Sequence, residues 1–99
     1  MGHRVSHQAS SELDDIWSFV AAQSSSAEVA DRLIETIVDR FFLLSRFPEI
    51  GRNREEDLRT GLRSFSVGAY VIFYRIDGKD VLILRVIHGS RDIARMLPI

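Results

Sequence analysis

Apolar residues recur along this chain with two different periods, and the change of period divides it. Leu13, Ile16, Trp17, Val20 and Ala21 stand at i, i+3, i+4, i+7 and i+8, the stripe of an amphipathic helix, with Asp14, Asp15 and Ser18 away from it. Ser11 reads as the N-cap, with Glu12 and Asp14 in the first turn at the positive end of the helix dipole. Gln23-Ser24-Ser25-Ser26 breaks the stripe and offers serines to cap a second helix. Ala27, Ala30, Leu33, Ile34, Ile37, Val38, Phe41 and Leu44 carry that helix until Phe47-Pro48 stops it. Its other face, Glu28, Asp31, Arg32, Glu35, Asp39 and Arg40, mixes attraction and repulsion at four-residue spacing and reads as solvated. Two apolar stripes joined by a short loop predict a helical hairpin.

From Leu62 onward the period is two. The runs Leu62 to Val67, Tyr70 to Ile76 and Val81 to His88 predict an antiparallel meander. Gly68-Ala69 suits a type II′ turn, and Asp77-Gly78 signals a hairpin of the I′ kind. Val71 and Phe73 alternate with Tyr70, Ile72 and Tyr74, so the middle strand is apolar on both faces and belongs in the centre. One face of the sheet should pack on the hairpin. The other, left partly apolar, is a plausible seat for a second chain.

Around this frame lie weaker signals. Arg4 to His7 is a short strand, Pro48 to Gly61 a mixed-charge loop of about fourteen residues, and Arg91 to Ile99 a tail of one helical turn or a mobile end. The fold class is α+β: a short N-terminal strand and a helical hairpin packed on a meander sheet, in one domain spanning 1–99.

Composition narrows the chemistry. With no cysteine in 99 residues, disulfides, thiolate metal sites and cysteine nucleophiles are excluded. The N-terminus lacks the apolar core of a secretion signal, and no run approaches the roughly 20 apolar residues of a membrane span. Cytoplasmic residence is the expectation. The net charge of −1 hides an asymmetry: residues 1–50 carry eight acids against four arginines, residues 51–99 nine basic residues against six acids. All the basic residues but Lys79 are arginine, the side chain suited to bidentate carboxylate or phosphate contacts. Arginine-favouring codons of a GC-rich genome account for part of that bias.

No Walker loop, dinucleotide fingerprint, zinc-protease helix or serine elbow is present, and His3, His7 and His88 are too scattered for a metal site. Neither metal nor cofactor is expected. Asp14 and Asp15 point about 100° apart on a helix and make no acid/base pair. Trp17 and Tyr70 follow the buried period and read as core. His88 ends a strand beside Gly89, within three residues of Arg91 and with Arg63 placed near it, a set that could hold a phosphodiester or move a proton. For His88 taken alone, a backbone-satisfying role at a strand end is the favoured reading. Contacts to a partner or target are expected from Arg63, Arg75, Arg85, His88, Arg91 and Arg95.

The order of elements, with Leu13-Asp14-Asp15-Ile16-Trp17, Ala30-Asp31-Arg32-Leu33-Ile34, Phe47-Pro48-Glu49-Ile50-Gly51-Arg52, Gly61-Leu62-Arg63-Ser64-Phe65, Tyr70-Val71-Ile72-Phe73-Tyr74-Arg75 and Ile83 to Asp92, resembles the RelE/ParE superfamily of type II toxin-antitoxin toxins. The likeness is greatest to the ParE branch. It implies a toxin silenced by a cognate antitoxin, with DNA gyrase as the target and no DNA binding by the toxin alone. The alternatives are a RelE-like ribosome-dependent mRNA endoribonuclease using Arg63, His88 and Arg91, and a non-toxic relic that only binds its antitoxin. Against the ribonuclease, Leu97 stands where that branch carries a terminal tyrosine, and its loop lysines are missing.

Overall fold

The computed structural model describes residues 2–97. In chain order the elements are β1 (His3–Val5), α1 (His7–Ser24), α2 (Ala27–Arg46), β2 (Arg52–Asn53), β3 (Arg63–Val67), β4 (Tyr70–Asp77), β5 (Asp80–His88) and α3 (Ile93–Met96). The five strands form one sheet in the order β1-β5-β4-β3-β2, antiparallel except where β1 runs parallel to β5. The meander and its central strand are as expected. The N-terminal strand expected over Arg4 to His7 is present as β1, shifted to His3–Val5, and β2, inside the stretch expected to be a loop, is the addition.

Ser6 marks the first departure from expectation. Its N–H donates to Ile83 O at 2.9 Å and its Oγ to Leu84 O at 2.8 Å, while the same Oγ accepts from Ala9 N–H at 3.0 Å. One serine thus ends β1 and caps α1, so the helix starts at His7 and Ser11 lies inside it. Glu12 and Asp14 are displaced from the first turn, and the dipole argument for them lapses. No local pattern announces Ser6 as a cap, because half of its bonding is to β5.

The hairpin behaves as its period predicts. Ser26 caps α2 by accepting from Val29 N–H at 3.2 Å, and α2 places Ile37, Phe41 and Leu44 against the sheet. They meet Tyr70, Ile72 and Tyr74 of β4 and Val81, Ile83 and Val86 of β5 in the larger core cluster. Trp17 is a correction. It is 37% exposed, and its indole N–H donates to Asp31 across the hairpin at 2.8 Å, so it braces the two helices from outside.

The second face of the sheet is not left for another chain. Leu62, Phe73, Ile87 and Leu97 form a smaller core there, joined by Leu58 from the long loop and by Ile93 and Met96 of α3. The tail therefore covers apolar surface that the strands alone would expose. Its last two residues, Pro98 and Ile99, lie outside the described residues.

Turn chemistry holds in one hairpin and shifts in the other. Gly68 has φ +57 and Ala69 no positive φ, the II′ pattern. In the second hairpin Asp77 pairs with Asp80, so the connection is Gly78-Lys79, and only Gly78, at φ +64, is left-handed. That is again the II′ pattern, in place of the expected I′ turn.

Candidate functional site

Where β1 stops at Val5, β5 runs on, and its edge beyond Ile83 has no strand beside it. The register of β4 against β5 slips between Phe73 and Tyr74, with Leu84 the unpaired residue. Glu12 of α1 takes up the open edge. Its carboxylate accepts from Val86 N–H at 2.9 Å and from the Arg85 guanidinium at 2.7 to 3.1 Å. Arg85 in turn donates through Nη1 to Met96 O at 2.6 Å, tying α1, β5 and α3 together. At 5% exposure Arg85 is an internal clasp, which corrects its reading as a surface contact.

A second cluster organises the turn after α2. Tyr74 is fully buried, and its hydroxyl donates to Pro48 O at 2.7 Å and accepts from Gly51 N–H at 2.9 Å. Arg63 on β3 donates through Nη2 to Glu49 O at 2.9 Å and to Gly51 O at 3.0 Å. Its buried Nε has no partner. Residues 48–51 are thus fixed by two side chains reaching out of the sheet, while Phe47 and Ile50 stand 52% and 47% exposed beside them.

His88, at the end of β5, packs edge-on against Tyr70, and its Nδ1 accepts from Ser90 N–H at 3.1 Å. That bond places the ring proton of neutral His88 on Nε2. Arg91 N–H closes the turn by donating to His88 O at 3.0 Å. His88 and Arg91 line a groove of about 670 Å³ whose apolar wall includes Ile16, Phe19, Tyr70, Val86 and Met96.

Arg63 does not join them. It pairs with Tyr74 on one side of β4, while His88 pairs with Tyr70 on the other. Four residues along and two strands across amount to about 16 Å at ordinary strand spacings, too far for one acid/base set. Arg75 instead lines a smaller cavity, of about 260 Å³, with Arg59 and Leu84. Arg95 is exposed on α3. The structure therefore unites His88 with Arg91 and sets Arg63, Arg75, Arg85 and Arg95 to separate tasks.

In the long loop Arg54 holds Asp57 through bonds of 2.7 to 3.1 Å and also reaches Ser64 Oγ at 3.1 Å. Hydrogen bonding from Arg54 holds the Asp57 carboxyl below its ordinary value. A depressed carboxylate contributes stability above its unfolded value and loses it as pH falls through the folded one. Amide exchange at Leu58, whose N–H donates to Arg54 O, is therefore expected to quicken relative to its intrinsic rate below about pH 4, earlier than at Ile72 or Ile87 in the sheet. Equal acceleration throughout would refute the local role.

The clasping residues were hidden in the sequence. Glu12 looked like a dipole carboxylate, and Tyr74 and Gly51 like ordinary strand and loop residues, because their partners lie 23 residues or more away. Phe47 and Ile50 carried no signal of exposure in the sequence, where they stood only as the end of the second helix and as part of a stretch that carries the family resemblance.

This fold, a helical hairpin on a mixed sheet, is shared with a solved structure. A chain of the "Chromosomal ParDE TA system from P. aeruginosa" superposes with a TM-score of 0.78 at 22% identity, over 91% of this chain and 97% of that one. The particular family follows from sequence. Residues 4–93 match the family described as "ParE toxin of type II toxin-antitoxin system, parDE". Toxin ParE3 of Caulobacter vibrioides is 40% identical over 88 residues, 89% of this chain and 86% of its own. Toxin ParE1 of Mycobacterium tuberculosis is 31% identical over 96 residues, 94% of each. The chain belongs to the ParE toxin family of type II toxin-antitoxin systems.

Proposed function

We propose that this toxin acts by binding DNA gyrase in the cytoplasm, without itself catalysing a reaction, until a cognate antitoxin covers it. The observation that carries this reading is the separation of Arg63 from His88. Cleaving RNA requires one group to activate the 2′-hydroxyl and another to protonate the leaving oxygen within hydrogen-bond reach. Here Arg63 holds the carbonyls of Glu49 and Gly51 at the opposite corner of the sheet, and Leu97 is buried in the smaller core. The antitoxin reading rests on the groove between α1 and the end of β5. Its apolar wall suits an aliphatic or aromatic peptide segment, with Arg91 placed to meet an acidic residue of that segment and Asp15 a basic one.

The test is DNA supercoiling by purified gyrase, with and without the free toxin. Inhibition at a few-fold molar excess, reversed by the antitoxin, is the expected result. Normal supercoiling would overturn the gyrase reading, and transcript cleavage in a translating extract would replace it with the ribonuclease. Absence of growth arrest on expression without antitoxin would mark a relic.

A further inference from the structure

We infer that the turn Phe47 to Gly51 is the toxin's docking element for its protein target, and that it enters an apolar pocket rimmed by carboxylates. This deepens the binding mode of action proposed above and uses a surface distinct from the antitoxin groove.

The argument starts from what the fold does not need. Phe47 and Ile50 are large and apolar, half exposed, and belong to neither core cluster. Isolated exposed apolar residues are ordinary. These two stand three residues apart on a single turn whose backbone is held by side chains of the sheet. Tyr74 Oη bonds Pro48 O and Gly51 N–H, Arg63 bonds Glu49 O and Gly51 O, and Ile50 N–H donates to Phe47 O at 3.2 Å. Gly51 is part of the device. A β-carbon there would lie 2.2 Å from Tyr74 Oη, so only glycine lets the turn sit down on the sheet.

A rigid turn has already lost the conformational entropy that a mobile loop would lose on binding. Anchors of this kind, inserted into a partner's pocket, carry most of the energy of a protein interface. The surrounding charge says what the pocket is like. The Arg46 guanidinium lies 5.9 Å over the Phe47 ring and has no carboxylate partner among the described residues, and Arg52 is exposed just beyond Gly51. Arg46 and Arg52 outweigh the one exposed carboxylate of the turn, Glu49, and this net positive margin around two apolar anchors complements an acidic rim.

Other occupants fit less well. RNA offers flat bases to stack upon, yet Ile50, one of the two anchors, is aliphatic. A two-fold contact with a second copy would bring the same arginines against one another. The antitoxin has the groove at the other corner, by Tyr70 and His88.

The experiment compares the full-length toxin with Phe47→Ser/Ile50→Ser and with Arg46→Glu/Arg52→Glu. Each is scored for growth arrest, for gyrase inhibition, for antitoxin affinity and for thermal midpoint. Both variants are expected to need about tenfold more protein for half-inhibition and to lose growth arrest, with antitoxin affinity and melting unchanged. Wild-type potency in the serine variant would overturn the inference. So would a parallel loss of antitoxin affinity, which would make the turn an antitoxin contact, or ultraviolet crosslinking of the turn to RNA. If the wild type leaves gyrase untouched while the serine variant abolishes growth arrest, the docking turn stands and the gyrase reading falls.

Discussion

Replacing Glu12 by alanine is expected to destabilise the toxin by about 3–5 kcal/mol, the cost of leaving one member of a buried ion pair without the other. The Arg85 side chain is 7% exposed and that of Glu12 17%, so water can replace little of what is lost. Three bonds from the guanidinium and one from Val86 N–H would go together, leaving a buried charge and an open strand edge. Arg85 would then hold only Met96 O, and α3 would loosen over the smaller core. Since a chain of this size has a total stability of only about 5–15 kcal/mol, urea melts should show a large shift in midpoint. Glu12→Gln should cost less, because an amide still accepts a hydrogen bond. Glu12→Leu/Arg85→Leu should recover much of the loss, because removing both charges removes the burial penalty. A Glu12→Ala protein with an unchanged midpoint would show that the clasp adds nothing to stability.

The second large effect is expected from Gly51→Ala, at about 2–4 kcal/mol. No unusual backbone angle is involved at Gly51; the cause is proximity. The added carbon would meet Tyr74 Oη at 2.2 Å, Tyr74 Cε1 at 2.7 Å and Ser64 O at 2.8 Å. Tyr74 is fully buried and cannot swing away without disturbing Phe41 and Ile37 in the same cluster. Either the turn lifts off the sheet or the core repacks. Tyr74→Phe separates the contributions, since it removes the hydroxyl bonds to Pro48 O and Gly51 N–H without a clash, for about 1–3 kcal/mol. If Gly51→Ala melts like the wild type, the turn is more compliant than its contacts indicate. If it folds but fails to arrest growth, the rigid presentation of Phe47 and Ile50 is what function needs.

Both effects arise at residues whose importance is non-local, and that explains what could be read in advance. The hairpin was legible because a helix repeats its buried positions every three or four residues, so Ile37, Phe41 and Leu44 announce their face without reference to anything else. The meander was legible because strands alternate and glycines punctuate them, although the second turn moved one residue along, to Gly78-Lys79. The same locality misled at Ser11, where a good capping sequence lost to Ser6, and at Trp17, where a helical stripe ran on past the edge of the core. Among the candidate contact residues, arginine at alternating strand positions could be read as basic chemistry, but not as exposed or buried. Arg75 and Arg85 look alike in sequence. One lies on the surface, and the other is clasped by Glu12 from 73 residues away.

What the sequence by itself determined is therefore the α+β composition, the helical hairpin, the order of the meander and the likeness to ParE toxins. All are written in periodicity and local motifs that each segment carries alone. Only the tertiary structure decided that β1 lies parallel to β5, that the chain's own tail covers the second face, and that Arg63 and His88 stand at opposite corners. It also turned Glu12, Gly51 and Tyr74 into the residues that tie α1 and the turn after α2 to the sheet. The physical reason is that a hydrogen bond, an ion pair or a close backbone approach depends on distance in space, and spacing along the chain encodes that distance only within an element.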